Sequence, residues 1–248
     1  MVPCSDERRQ RWSSLGGMSD PLLPTSLDHV ALWLADRDAM AALACDHLGM
    51  HVIERTDKFT LVGSDARRGK LTLFAAEGPR EPGALEAINL RVNDLGRALE
   101  ALPPELEVEM RPEGVATFAG PEGLTLGLAE RETEVDYDLY HVVLRVADVE
   151  ASAAAFAELG FERDDTKLSV AGKWLRLVEG GEPEGDRPLL NHLAVLVDSA
   201  DTAEREARAR GVEVADVVDA PNTLAVFVWT PGRIKLEYVE HKACFSLA

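Results

Sequence analysis

The sequence predicts an α+β protein. Four βαβββ modules form two similar domains, each an open, mixed, barrel-like sheet with its helices outside. Two observations predict this. The segment LDHVALWLADRDAMAAL from Leu27 returns as LYHVVLRVADVEASAAA from Leu139, so that His29 corresponds to His141. And four times an apolar run (HVALWLAD, AINLRVND, HVVLRVAD, HLAVLVDS) leads into a polar cap, a helix-like stretch and short β-rich pieces.

The duplication continues through ALEAINLRVND from Ala84, matched by LLNHLAVLVDS from Leu189, and PEGLTLGLAE from Pro121, matched by PGRIKLEYVE from Pro231. Helices are predicted at roughly 37–48, 94–102, 149–159 and 200–210. Asp36, Asn93, Asp148 and Asp198 or Ser199 stand where an N-cap side chain accepts the first free N–H groups. Gly49, Gly160 and Gly211 follow three of the helices, as a left-handed C-cap requires. Taken in chain order, the modules give an N-terminal domain at 27–131 and a C-terminal domain at 138–241. Residues 1–26 read as a disordered extension without the apolar core of a signal peptide.

With 248 residues the chain is long enough for two real cores. No apolar run approaches a membrane span. Cys4, Cys45 and Cys244 show no framework spacing, which suits a reducing cytoplasm. A net charge of −18 with no basic stripe argues against a nucleic-acid partner. No GxGxxG, Walker loop, GxSxG or HExxH is present, so nucleotide, serine-hydrolase and zinc-protease chemistry have no support.

Three residues of the second half stand out as candidate metal ligands: His141, His192 and Glu237, each on its own apolar strand-like run. Two imidazoles and a carboxylate leave open positions on an octahedral metal, the arrangement of non-heme Fe(II) oxygenases. Strand alternation puts His192, Ala194 and Leu196 on one face, opposite Leu193, Val195 and Val197, and turns Glu237 away from Leu236 and Tyr238. The equivalents in the first half are His29, Ala87 and Gly127, which make that half a scaffold without a complete site.

Four such modules with these ligand positions resemble the vicinal oxygen chelate superfamily, closest in layout to its two-domain extradiol dioxygenases. The resemblance covers about residues 27–240. It implies Fe(II), or Mn(II) or another divalent metal, on His141, His192 and Glu237. It also implies a small substrate, aromatic or anionic, that chelates through vicinal oxygens, with O₂ as co-substrate. Glyoxalase I, of the same superfamily, adds a fourth ligand at the position held here by Arg176, which cannot ligate a metal. Arg176 either clamps an anionic group of the substrate or pairs with a surface acid. Trp174 and Phe227 are the other expected substrate contacts. Extradiol enzymes usually carry a pocket histidine and a tyrosine that this chain lacks, so no catalytic acid or base is assigned. His241 is expected to be exposed. The alternatives to an extradiol-type dioxygenase are another metalloenzyme of the superfamily (isomerase, lyase or hydrolase) or a small-molecule binding or resistance protein. A homo-oligomer is expected.

Overall fold

The computed structural model describes residues 22–180, 188–230, 232–243 and 245. All four modules form. The first comprises β1 (Ser26–Leu34), α1 (Arg37–His47), β2 (His51–Arg55), β3 (Phe59–Gly63) and β4 (Lys70–Ala75). The second comprises β5 (Leu85–Val92), α2 (Leu95–Glu100), β6 (Glu109–Met110), β7 (Val115–Ala119) and β8 (Thr125–Glu130). The third comprises β9 (Asp138–Val146), α3 (Val149–Glu158), β10 (Glu162–Asp164), β11 (Lys167–Val170) and β12 (Lys173–Glu179). The fourth comprises β13 (Leu190–Leu196), α4 (Ala200–Ala209), β14 (Val214–Asp219), β15 (Thr223–Trp229) and β16 (Lys235–His241).

The helix boundaries follow from their caps. Asp36, Asp148 and Ser199 accept from the N–H groups of Ala39, Ala151 and Thr202. In the second module the cap is Asp94, one residue beyond the expected Asn93, and it accepts from Arg97. Gly49, Gly160 and Gly211 take positive φ after α1, α3 and α4.

The modules do not pair in chain order. One eight-stranded mixed sheet runs β14-β15-β16-β13-β1-β4-β3-β2, and the other runs β10-β11-β12-β9-β5-β8-β7-β6. The first joins module one to module four, and the second joins module two to module three. The expected units 27–131 and 138–241 are therefore each split between the two sheets. The leading strands share an apolar pattern, and that pattern alone does not say which of them pair. Here β1 runs antiparallel to β13, and β5 runs antiparallel to β9. Both sheets stay open, with free edge strands, rather than closing into barrels.

The expected extension also ends earlier than residue 26. Leu22 is buried, and Thr25 donates its backbone N–H to Leu196 O at 2.7 Å. Residues 1–21 lie outside the described residues.

One apolar core runs through both sheets. In β1, Val30, Leu32 and Leu34 are sealed in it, whereas His29, Ala31 and Trp33 take the opposite face. A buried ion cluster ties the sheets together. Asp138 of β9 binds Lys173 Nζ at 2.9 Å, Arg91 at 2.7 and 3.0 Å, and the Gly69 N–H at 3.1 Å. Lys173 Nζ also donates to Leu27 O at 3.2 Å. Among the described residues no helix is long and apolar enough to cross a membrane.

This pairing has a direct consequence. A fragment ending at Arg131 leaves β1 without β13 and β5 without β9, exposing two long strand edges. It should be unfolded or self-associated, never a folded monomer. Circular dichroism with analytical ultracentrifugation would read this out.

Candidate metal centre

The β1–β13 ladder brings two histidines face to face. Ala31 pairs with His192, and His29 pairs with Ala194. On the far side of β13, β16 runs parallel and sets Glu237 beside Ala194. His29, His192 and Glu237 thus converge. His29 Nε2 lies 3.1 Å from His192 Nε2 and 3.3 Å from Glu237 Oε2, and His192 Nε2 lies 2.8 Å from the same oxygen. Ligand bonds of about 2.0–2.2 Å meeting at right angles put neighbouring donors about 3 Å apart, so these atoms are spaced as three ligands on one face of an octahedron. Two nitrogens and one carboxylate oxygen are also the right donor types for a divalent metal.

What sits behind the histidines fits the same reading. The ladder is irregular just before each one: between Leu27 and His29 the register skips Asp28, and opposite Ala31 and Leu32 it skips Asn191. Such bulges re-aim a side chain. Asp28 Oδ2 accepts from His29 Nδ1 at 2.8 Å, and Asn191 Oδ1 accepts from His192 Nδ1 at 3.0 Å. With Nδ1 engaged, a neutral ring keeps its lone pair on Nε2, which faces the other donors. Asp28 is held in turn by Lys70 Nζ at 2.8 Å.

Charge in the site is strongly coupled. Burial opposes a charge on His29, but hydrogen bonds to Asp28 and Glu237 and their negative charges outweigh it and raise its pKa to about 9. Burial would raise the Glu237 carboxyl, yet the two histidines beside it hold it down to about 2. Burial lowers the pKa of His192, Glu237 only partly offsetting it. Asp28 lies well below the usual carboxylate range because Lys70 and His29 overcome the cost of its burial.

The expected trio is therefore corrected at one position. His192 and Glu237 come together, but with His29 in place of His141. His141 lies in the other sheet, where it stacks on Trp174 with ring centroids 4.1 Å apart and accepts from Asn89 Nδ2 at 3.0 Å. Burial, with the Arg176 charge nearby, lowers its pKa to about 4. That sheet offers no carboxylate at the position equivalent to Glu237. It has Gly127, where a Cβ would meet Asn89 Oδ1 at 2.0 Å. The scaffold reading of His29 rested on pairing neighbouring modules. A sequence signal did separate the histidines: His29 and His192 each follow a hydrogen-bonding residue, Asp28 and Asn191, whereas His141 follows Tyr140.

The expected substrate contacts divide the same way. Phe227 is registered opposite Glu237, and its ring lies 5.1 Å from that of His192. Trp174 and Arg176 belong to the other sheet. Arg176 is exposed and pairs with Glu113 at 3.1 Å, so the surface-acid alternative is the one observed. His241 is not exposed. It is half-buried, with Nε2 3.5 Å from Asp28 Oδ1, and stacks on Phe245. Phe74 also flanks the site, 6.3 Å from the His192 ring. The position on β4 equivalent to Glu237 is Thr72, paired with Ala31.

Residues 26–126 match the family described as Glyoxalase/Bleomycin resistance protein/Dioxygenase superfamily. Among solved structures the chain is similar to a Bacillus subtilis protein described as a "putative dioxygenase", with TM-score 0.76 and 16% identity over 90% of this chain and 87% of the other. Glyoxalase I from Zea mays aligns with TM-score 0.68 and 17% identity over 87% and 92% of the two chains. The cppA protein of Streptococcus pneumoniae aligns with TM-score 0.61 and 14% identity over 88% and 98%. At these identities the likeness is one of fold. No curated protein matches the chain by sequence.

Three measurements follow. Equilibrium dialysis with elemental analysis should find one divalent metal per chain, lost in His29→Ala, His192→Ala and Glu237→Ala but kept in His141→Ala. At pH 7 the metal-free His29 carries a proton that it must shed to ligate, so loading should release acid into a weakly buffered solution, and affinity should fall as pH drops. Removing the acceptor behind His192 with Asn191→Ala should weaken metal binding by about 10–100-fold while leaving the His29–Asp28 pair intact.

Proposed function

We propose that the protein is a metalloenzyme that holds one divalent metal, Fe(II) first among the candidates and Mn(II) next, on His29, His192 and Glu237. It acts on a small substrate that chelates through vicinal oxygens, in the manner of an extradiol dioxygenase. The observation that carries this reading is the spacing of the three donor atoms, with Thr72 at the corner where a fourth ligand would stand. A neutral hydroxyl is a poor ligand beside a carboxylate, so three coordination positions remain for substrate and O₂. When bound, the metal supplies Lewis acidity that lowers the pKa of a chelating hydroxyl and a meeting place for two reactants.

The chain's own groups perform the rest. Asp28 and Asn191 fix the two imidazole planes, and the Asp28–Lys70 pair stops the acid from rotating away. Phe74 and Phe227 flank the His192 ring and give a flat substrate apolar walls that exclude water. Glu237 contributes the negative charge that offsets part of the metal's.

A second reading, an isomerase, lyase or hydrolase on the same metal, draws on one observation. Phe227 stands opposite Glu237, so the strand beside the carboxylate brings a phenyl ring and no phenolic hydroxyl. Proton transfer aided by a positioned side chain is worth about 10²–10⁴-fold, and a ring-cleaving enzyme lacking that group needs another source.

Oxygen uptake by the anaerobically purified, Fe(II)-loaded protein against catechols and hydroquinones separates the readings. Uptake that disappears in His29→Ala is expected. Stable metal binding without oxygen uptake supports the second reading, and absence of metal binding makes the protein a small-molecule binder.

A further inference from the structure

Beside the metal centre lies a cavity of about 470 Å³, between the ends of the first sheet and the start of α3. Asn191, which holds His192, lines it, so cavity and centre share a wall. Its charged lining residues are Arg145, Asp148, Arg233 and Lys235, an excess of positive charge in a chain of net charge −18.

Those charges are not equally engaged. Arg145 is paired with Glu86, Arg233 pairs with Glu213 at 3.2 Å, and Asp148 caps α3. Lys235 has no carboxylate partner among the described residues. Its Nζ lies 5.0 Å from the centre of the Trp229 ring, and its side chain is half-buried. A partly desolvated ammonium held only by an aromatic face is poised for an anion.

The strand fixes where that anion would lie. Lys235 is two residues before Glu237 on β16 and so shares its face. Two strand residues span about 6.5 Å, comparable with the length of a single substituted ring. Trp229, registered opposite Lys235, and Trp33, two residues beyond Ala31 on the face of His29, supply flat apolar surface in the same cavity.

We propose that this cavity is the anion-binding half of the substrate site and that the substrate is an aromatic acid. Its carboxylate pairs with Lys235, its ring lies against Trp229 and Trp33, and its chelating oxygens reach the centre. The last point rests on the metal reading; the anion site does not.

Benzoate and benzamide share a shape and differ in charge, so they test the site without a metal. In calorimetric titrations of the metal-free full chain, benzoate should bind about tenfold or more tightly than benzamide. Lys235→Gln should abolish that preference, and Lys235→Arg should retain it. Equal affinities in the unsubstituted protein, a preference that survives Lys235→Gln, or no binding of either ligand would overturn the proposal. Metal uptake by the same proteins is read separately. A protein that prefers benzoate but takes up no metal sinks the metal reading alone, and one that binds metal but shows no preference sinks the anion site alone.

Discussion

The antiparallel ladder between β1 and β13 is the constraint on which the rest of the molecule depends. It joins the first module to the last, over 160 residues of chain, and sets the register that brings Nε2 of His29 to 3.1 Å from Nε2 of His192. The β13–β16 pairing then adds Glu237 from the other side. With β1 paired against β5 instead, the three donors would be dispersed. Side chains that bridge the two sheets contribute to this choice of pairing. The buried cluster of Asp138, Lys173 and Arg91, with its contacts to Gly69 N–H and Leu27 O, is one such determinant, because a charge left unpaired there would be expensive.

Local irregularity serves the site as much as regular structure does. A strand with perfect alternation would send Asp28 and Asn191 away from the histidines that follow them. The bulges at both positions let each reach the Nδ1 atom of its neighbour. The result is a buried set of alternating charges, Lys70, Asp28, His29 and Glu237, each supported by the next. Without such pairing, carboxylates this deep would be neutral.

The second sheet shows what the duplicate has become. It keeps His141, but the three equivalent positions hold Ala87, Arg176 and Gly127. Asn89 fills the space that Gly127 opens and donates to the His141 ring, while Trp174 covers its face. The ring's lone pair is engaged within the protein, and Arg176 turns to Glu113 at the surface. One copy has a convergent polar site and the other has a packed histidine, although their strands align residue for residue.

The sequence by itself determined the modules. The repeat, the caps at Asp36, Asp148 and Ser199, and the glycines after three helices are local signals, set by backbone hydrogen bonding within a few residues of each helix end. It also determined that His192 and Glu237 face the same side of neighbouring strands, because alternation is local too. Only the tertiary structure decided which histidine joins them. His29 and His141 occupy the same place in matching repeats, and the choice between them depends on strand pairing across the whole chain, where a ladder hydrogen bond carries no sequence label. The hydrogen-bond acceptors behind the rings were visible as the pairs Asp28–His29 and Asn191–His192. Their meaning was not, because it arises from bulges that only the paired partner strand creates.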